Sequence, residues 1–329
     1  HGPTVACVAN NVATALAIAA ELGKRKRTVE LLVGRMRPHD IHRLRERRPG
    51  LLTMEGDPDV DIVVATQTVE VGIDADFSAM VTELAPGSAL AQRAGRVNRR
   101  GSRASTEIRV FGPAAEIGPN GAPPYAASDL AAALVWVAGR ATTAEGLAPW
   151  SVTLDPPPQQ SLRRVVLQRP EMWDAWLLAR TSDDLVDDPD LDLWLADDFE
   201  SDTDLALVVR QGLPTDPTDA LALLRATPPR AAESFPASLV LVRNLVDGDP
   251  ADVRYLWHDG DVDVLTDPDA LRPGDVVVIG DVSRWFEHGV VVERGTAPAT
   301  DVLEESEGER ELFLLRVGAG SPIDVDTGG

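Results

Sequence analysis

Short apolar stretches alternate with longer, helix-forming stretches along the first 140 residues of the chain. The apolar stretches are rich in β-branched residues and predict buried strands. The predicted strands are 4–9, 28–33, 61–65, 79–84 and 106–111. The predicted helices are 12–22, 39–48, 88–94 and 128–140. Strands that alternate with helices predict an α/β fold, in which a parallel sheet is covered on both faces and binds ligands at the carboxyl ends of its strands.

The pattern changes beyond residue 150. Residues 155–158 read Asp-Pro-Pro-Pro and predict a linker. The predicted elements that follow are a helix at 170–180, an acidic loop at 183–204, and strands at 253–265, 275–279, 289–292 and 311–317. We therefore predict a parallel-sheet domain at 1–150 and a smaller α+β accessory domain at 151–329, helical at first and β-rich at its end.

Charge is distributed unevenly between these two parts. The formal net charge is −22, which argues against non-specific binding of nucleic acid by the whole surface. Residues 1–103, however, hold 15 Arg or Lys against 12 Asp or Glu, while the rest of the chain holds 16 against 41. We therefore expect any contact with nucleic acid on the first third of the chain.

The sequence shows no sign of a membrane or secreted location. No apolar run approaches the roughly 20 residues that span a bilayer, and the first residues do not resemble a signal peptide. Cys7 is the only cysteine, which fits a reducing compartment, and its apolar surroundings predict a buried strand thiol. We expect a cytoplasmic protein that does not contact a membrane.

The segment 92–101 contains the first candidate chemistry. It reads Gln-Arg-Ala-Gly-Arg-Val-Asn-Arg-Arg-Gly, so that Arg96 and Arg99 stand three residues apart. In a helical turn this spacing directs both guanidinium groups to one side, and Gly95 permits a close approach. Two converging guanidiniums suit an anionic ligand, above all a triphosphate. A solvated basic helix face is the alternative explanation of the same residues.

A second segment, 66–74, directly follows the third predicted strand and reads Thr-Gln-Thr-Val-Glu-Val-Gly-Ile-Asp. It resembles motif V of superfamily 2 helicases, and 92–99 resembles their motif VI, Gln-x-x-Gly-Arg-x-x-Arg. Residues 4–11 occupy the place of motif IV. The order and spacing resemble those of the second RecA-like motor domain of such helicases, so the resemblance implies this fold for 1–150.

Further runs narrow the resemblance. They are Asp-Ala-Asp-Phe at 74–77, Leu-Ala-Pro at 84–86, Gln-Arg-Ala-Gly-Arg at 92–96, and 31–38. They are similar to the CRISPR-associated helicase–nuclease of type I interference systems, especially a divergent subtype. This resemblance implies an ATP-dependent motor of antiviral defence. Its implied partners are single-stranded DNA, the first RecA-like domain and the nuclease domain of the same protein, and a CRISPR surveillance complex.

The resemblance implies a nucleotide site that involves both segments. Arg96 and Arg99 would face the γ-phosphate of ATP as arginine fingers, and Gln92 would help to position the phosphates or the attacking water. The implied nucleotide-binding residues are Gly72, Asp74 and Gly95, with Asp74 near the ribose. A role in the turn alone is the alternative for Asp74.

The resemblance also implies a nucleic-acid site. The implied contacts to the nucleic-acid backbone are Asn10, Gly34, Arg35 and Thr66, and backbone contacts suit a motor that must move along any sequence. Local structural roles are again the alternatives. Thr66 could cap the helix that follows its strand, and Asn10 could be an N-cap.

Other parts of an ATP site are missing from the sequence. It contains no Gly-x-x-x-x-Gly-Lys-[Ser/Thr] loop and no Asp-Glu box for Mg²⁺. The dipeptides His39-Asp40 and His258-Asp259 lie in no cluster with metal-ligand spacing, so we expect no metal site. We expect ATP and Mg²⁺ to be held mainly by a first motor domain outside this fragment. The fragment alone is then expected to bind no cofactor and to hydrolyse no ATP.

Two rival functions stay open on sequence alone. The first is another DEAH-type helicase that acts on RNA or on DNA repair intermediates, since such helicases share motifs V and VI. The second is a non-catalytic module that docks a partner protein through the acidic C-terminal part.

Overall fold

The structure, a computed structural model, describes the following residues: 4–112, 124–141, 143, 145–160, 204–248, 253–258, 260–272, 274–280, 284–293, 295 and 302. These ranges contain two five-stranded sheets and one two-stranded hairpin. No helix within them is long and apolar enough to cross a membrane.

The first sheet is parallel throughout. Its strands are β1 (Val5–Val8), β2 (Val29–Leu32), β3 (Ile62–Ala65), β4 (Ala79–Glu83) and β5 (Ile108–Phe111). The strand order is β2-β3-β1-β4-β5, and Val5 of the central strand pairs with Ile62 on one side and Ala79 on the other. Because the sheet has helices or loops packed on both faces, its inner strands consist almost entirely of apolar residues.

Five helices accompany this sheet. They are α1 (Val12–Gly23), α2 (Pro38–Arg47), α3 (Gly87–Ala94), α4 (Ala127–Arg140) and α5 (Pro149–Leu154). The side chain of Asn11 accepts a hydrogen bond from the Thr14 N–H and so caps α1. On one face, α1 packs against a core that includes Val64. On the other face, Leu44 of α2 joins the core around Phe77.

The second sheet is mixed. Its strands are β6 (Asp204–Arg210), β7 (Phe235–Ser238), β8 (Tyr255–His258), β9 (Asp261–Val264) and β10 (Val276–Gly280), in the order β7-β6-β10-β8-β9. Only β6 and β10 run parallel. Helix α6 (Pro217–Ala226) packs on one face and helix α7 (Leu239–Gly248) on the other. A hairpin of β11 (Phe286–Glu287) and β12 (Val290–Val291) completes this unit.

The second unit contacts the first beside the turn between β2 and α2. The guanidinium of Arg37 lies 4.8 Å from the ring centre of Phe235, a cation–π contact. Val290 of the hairpin joins the core formed by Val33, Val64 and the residues around α1. The start of α2 is therefore held by both units.

The predicted α/β fold is confirmed for the first sheet. Each of its five strands and four predicted helices begins and ends within two residues of the prediction. The predicted boundary between 1–150 and 151–329 stays a prediction. Contacts of the first unit continue past it, because Arg140 pairs with Asp155 at 2.8 Å and a Cβ on Gly87 would lie only 2.6 Å from Pro157.

The second part was predicted less completely. The strands predicted at 275–279 and 289–292 are confirmed as β10 and β12. The single strand predicted at 253–265 is wrong, because β8 and β9 fold back on each other and Gly260 has a left-handed φ of 82°. The strands β6 and β7 and the helices α6 and α7 were not predicted. The elements predicted at 170–180 and 311–317, and all but the last residue of the acidic loop, lie outside the described residues.

Candidate functional site

The segment between β3 and β4 forms one wall of the candidate site. A single 3₁₀ turn, Gln67–Val69, follows β3, and the chain then runs past the core with Val69 fully buried. Gly72 has a φ of 82°, which glycine adopts without strain, and the neighbouring Val71 is 74% exposed. We call 66–76 the motif V loop. It has an anchored base and an exposed tip, and both predicted nucleotide-binding residues of the loop, Gly72 and Asp74, lie at the tip.

Arg96 and Arg99 lie on the turn that follows α3. The helix ends at Ala94, Gly95 is its C-cap, and Asn98 has a left-handed φ of 49°. The prediction that a helical turn aligns the two arginines is therefore wrong, because the helix stops before either of them. The solvated helix face, which was the alternative, is wrong for the same reason.

Both arginines nevertheless converge on the motif V loop. The Nε and Nη2 atoms of Arg96 donate to the carbonyl oxygens of Val69 and Glu70, at 3.0 and 2.6 Å. The Nη2 atom of Arg99 lies 3.0 Å from Oδ1 of Asp74, whose side chain is 71% exposed. The Arg96 side chain is thus anchored to backbone. Among the described residues, the Arg99 side chain meets only the exposed carboxylate of Asp74, in an ion pair typically worth less than about 1 kcal/mol.

The turn lies at the amino end of β4, not at the carboxyl edge of the sheet. Phe77, which precedes β4, donates its N–H to the Arg96 carbonyl at 2.8 Å and accepts from the Asn98 N–H at 2.9 Å. Ligands of such a sheet were expected at the carboxyl ends of its strands, and these two arginines do not lie there. That rule describes sites that a sheet builds from its own strand ends.

A buried carboxylate fixes the same turn. The side chain of Asp76 is 5% exposed; it accepts the Arg99 N–H at 2.6 Å and pairs with Nη1 of Arg103 at 3.1 Å. The Asn98 side chain bonds both the N–H and the carbonyl of Arg103. Sequence reasoning missed these supporting roles. The signal was an Asn and a Gly, Asn98 and Gly101, which are typical of a tight turn rather than a helix.

A polar cluster whose members are buried or half-buried lies beside the turn, and sequence reasoning missed its central residue. We call it the Arg93 cluster; its members are Asn10, Gln67, Glu70, Thr82, Arg93 and Tyr125. The Arg93 side chain is fully buried and donates from Nε to Oε1 of Glu70 at 2.9 Å and from Nη1 to Oγ1 of Thr82 at 2.7 Å. Arg93 stands three residues after Leu90 on the apolar stripe of α3, and an arginine at such a position indicates a buried ion pair.

Two predicted nucleic-acid contacts are buried. Asn10 is 7% exposed; its amide nitrogen donates to the Leu84 carbonyl at 2.8 Å and its Oδ1 accepts from Arg93 at 3.2 Å. Because Asn11 caps α1, the alternative of Asn10 as the N-cap is wrong. Thr66 is 4% exposed, and its side chain makes no capping hydrogen bond, so that alternative is wrong as well.

The four predicted nucleic-acid residues share one edge of the sheet. Asn10, Gly34 and Thr66 each follow one of the neighbouring strands β1, β2 and β3, and Arg35 follows Gly34. Gly34 is exposed, and Arg35 is half-buried. The structure therefore places the predicted nucleic-acid residues at the carboxyl edge and the two arginines at the amino end of β4, with the motif V loop between them.

The remaining predicted nucleotide residues lie on α3 and its cap. Gln92 is exposed on the last turn of the helix. A Cβ added to Gly95 would lie 3.3 Å from the carbonyl oxygen of Gln92, so the chain is tight at this point. Gly95 therefore serves the turn itself, and the turn brings Gln92 within a few residues of both arginines.

Burial changes the acidity of two groups near the site. It raises the pKa of Tyr125 above its ordinary value, although hydrogen bonds from Gln67 and Arg93 act in the opposite direction. Tyr125 is therefore a neutral phenol in the Arg93 cluster. Burial, reinforced by the charge of Glu83, also raises the pKa of the Cys7 thiol. The sequence predicted a buried strand thiol, and Cys7 lies in strand β1 but is only half-buried. Its raised pKa disfavours a nucleophile.

Asp259 of the second His-Asp dipeptide lies outside the described residues, and His39, Asp40 and His258 belong to no metal site among the described ones. No group of three or more His, Cys, Asp or Glu side chains could hold a metal ion there. Asp40 pairs with Arg37 at 2.8 Å. The Nδ1 atom of His258 lies 2.7 Å from Oδ1 of Asp275, so this histidine has a carboxylate partner from another strand end. The absence of a metal stays a prediction for the whole chain.

The parallel sheet, with the motif V loop and the turn at 95–101 beside it, has a RecA-like α/β fold. We call 95–101 the arginine turn. Residues 1–102 match the family model of the CRISPR-associated nuclease/helicase Cas3, C-terminal part. A stretch of 73 residues is 41% identical to a curated CRISPR-associated nuclease/helicase Cas3 sequence of Myxococcus xanthus (strain DK1622), over 22% of this chain and 9% of that protein.

A solved structure supports the fold. The crystal structure of T. fusca Cas3-AMPPNP matches with a TM-score of 0.50 at 18% identity and covers 88% of this chain and 37% of that chain. The resemblance predicted from the motifs is thus confirmed: this chain is similar to the C-terminal part of a CRISPR-associated helicase–nuclease. It spans little more than a third of the solved chain, and a smaller share of the curated relative is aligned.

Proposed function

We propose that this chain is the second motor half of an ATP-dependent helicase–nuclease of CRISPR interference, a cytoplasmic protein of antiviral defence that moves along single-stranded DNA. The observation that carries the proposal is the convergence of Arg96 and Arg99 on the motif V loop. Charge placed at a developing γ-phosphate is the principal protein contribution to phosphoryl transfer. The match of 1–102 to the Cas3 C-terminal family supports the same function.

The two arginines have different tasks in this proposal. Arg96 has two of its nitrogens occupied by carbonyl oxygens, so it holds the motif V loop against the turn. The Arg99 side chain is 36% exposed and, within the described ranges, has one partner, the exposed carboxylate of Asp74. Breaking that pair costs at most about 1 kcal/mol, whereas an arginine finger is worth about 10³–10⁵ in rate. Arg99 is therefore the finger that reaches the γ-phosphate, with Arg96 beside it.

The exchange of partners also frees Asp74. When Arg99 turns to the phosphates, the exposed carboxylate of Asp74 becomes available to the ribose hydroxyls. Gly72 has no side chain and a left-handed backbone, so it leaves space for the nucleotide at the tip of the loop. Gln92 is exposed on the last turn of α3 and orients phosphate or water.

Single-stranded DNA binds at the carboxyl edge in this proposal. Gly34 and Arg35 supply the accessible contacts, since the side chains of Asn10 and Thr66 are buried and act by shaping the strand ends. The excess of basic over acidic residues in 1–103 favours the phosphate backbone on this unit. The first RecA-like domain, the nuclease domain and a CRISPR surveillance complex are the proposed protein partners.

The chain alone does not hydrolyse ATP in this proposal. It contains no Gly-x-x-x-x-Gly-Lys-[Ser/Thr] loop and no Asp-Glu box. ATP and Mg²⁺ are therefore held mainly by the first motor domain, and the metal supplies charge neutralisation of the phosphates there. This chain contributes the arginines, Gln92, and the loop with Gly72 and Asp74.

The proposal is tested by kinetics of the longer protein that includes the first motor domain. Arg99→Ala is expected to lower the kcat of DNA-stimulated ATP hydrolysis about 10³-fold or more. Arg100→Ala is the matched control, because Arg100 is the next residue, is also exposed and has the same charge. A kcat for Arg99→Ala equal to that of Arg100→Ala would refute the finger role.

A further inference from the structure

We infer that Arg93, Glu70 and Tyr125 are positioning residues, which set the arginine turn of the proposed ATP site without touching the nucleotide. The inference rests on the proposed function, since it assigns how Arg96 and Arg99 are held ready. Arg93 is fully buried, so it cannot contact a ligand directly. Tyr125 lies beyond the residues 1–102 that match the family model.

Arg93 is held in a single orientation. Its Nε and Nη2 atoms both lie 2.9 Å from Oε1 of Glu70. Its Nη1 atom donates to Thr82 Oγ1 and to the Glu83 carbonyl, at 2.7 and 3.2 Å. A fully buried guanidinium contributes little net stability, because desolvation offsets its Coulombic gain. What such a planar, five-donor group does supply is a fixed geometry among its acceptors.

Glu70 is the residue through which this geometry reaches the arginine turn. Its carboxylate is bound by Arg93, and its carbonyl oxygen is bound by Nη2 of Arg96 at 2.6 Å. Arg93 and Arg96, three residues apart, therefore bind the side chain and the backbone carbonyl of the same residue, Glu70. Asp74, the partner of Arg99, follows four residues later on the same loop. A shift of Glu70 would therefore move the acceptors of Arg96 and Arg99 together, namely its own carbonyl oxygen and the carboxylate of Asp74.

Tyr125, two residues before the start of α4, contacts Arg93 and Gln67. Its hydroxyl lies 3.3 Å from Nε2 of Gln67 and 3.4 Å from Nη2 of Arg93. Gln67 also donates to the Asn10 carbonyl at 2.9 Å, at the end of β1. The phenol oxygen thus accepts one hydrogen bond from Gln67 of the motif V loop and one from Arg93 of α3. It therefore sets the distance between the loop and the helix.

The test uses three substitutions in the longer protein that includes the first motor domain. Glu70→Gln keeps the shape of the side chain and removes its charge; Tyr125→Phe removes only the hydroxyl. Glu107→Gln is the matched control, because Glu107 pairs with Arg109 at 2.8 Å on the exposed surface. All kinetics are measured at a temperature where thermal melting shows every variant folded, so that a merely structural loss does not contribute.

Glu70→Gln is expected to lower kcat for ATP by about ten- to a hundredfold, with the KM for ATP within about twofold of the parent, since misplaced catalytic groups lose rate rather than binding. Tyr125→Phe is expected to lower kcat about two- to fivefold, and Glu107→Gln to leave it unchanged. Added to Arg99→Ala, Glu70→Gln should cost far less than it does alone, since it acts through the arginines.

The outcomes separate this inference from the proposed function. A parental kcat for Glu70→Gln, combined with a large loss for Arg99→Ala, overturns the positioning role and leaves the finger role standing. A double variant whose loss of kcat equals the product of the two single losses also overturns the positioning role. An Arg99→Ala variant with parental kcat refutes the proposed function itself.

Discussion

Arg93 and Arg99 stand six residues apart on one segment and have opposite surroundings. Arg93 is fully buried and donates to acceptors from several elements, whereas Arg99 is partly exposed and meets one exposed carboxylate. The difference shows that closely spaced arginines of one motif have different roles. A buried guanidinium can only hold structure in place, and an exposed one with a weak partner is available to an incoming anion.

The largest expected difference between the two concerns folding. Arg93→Ala should lower the free energy of unfolding by about 3–5 kcal/mol, because it leaves the Glu70 carboxylate buried without its cation. Arg99→Ala should lower it by less than about 1 kcal/mol, since its ion pair is exposed. Urea titrations of the two variants against the parent measure both values. Equal losses would abolish the distinction between a structural and an available arginine.

A smaller difference in lost stability is expected between variants of Asp76 and Asp74, the two acidic partners of the turn. Asp76→Ala should cost about 1–3 kcal/mol, because the Arg99 N–H and the Arg103 guanidinium then lose a buried acceptor. Asp74→Ala should cost under about 1 kcal/mol, since its side chain is mostly exposed. Thermal melts of both variants provide the comparison. A larger loss for Asp74→Ala would mean that the exposed pair, not the buried carboxylate, holds the turn.

The sequence was sufficient for the first sheet because of how its strands are buried. Residues of the inner strands, such as Val63 and Val64, pack on opposite faces of the sheet, so their strand is a continuous apolar run. The second sheet was harder to predict. Strand β6 contains an apolar run at 205–209, but it directly follows the acidic stretch 183–204, which was interpreted as a loop. Strand β7 contains Pro236, a residue that is rare inside a buried strand.

The residues of the candidate site stay a prediction, and the helical geometry predicted for Arg96 and Arg99 is wrong. Residue spacing indicated that Arg96 and Arg99 act together, and both side chains contact the motif V loop from the turn after α3. The cause is not the helical period but a left-handed Asn98 and the buried Asp76, which depend on tertiary contacts. Arg93 was overlooked because a charged residue next to Gln92 in a basic segment resembles a surface position. The signal for its burial was its position three residues after Leu90, on the apolar stripe of α3.

The central claim is that this chain supplies arginines to an ATP site completed by another domain. The most direct measurement mixes the purified chain with the separate first motor domain in the presence of ATP, Mg²⁺ and single-stranded DNA. We predict that neither part alone hydrolyses ATP, that the mixture does, and that Arg99→Ala but not Arg100→Ala in this chain removes the gain. Turnover by this chain alone at a helicase-like rate, or a gain unaffected by Arg99→Ala, would contradict the account.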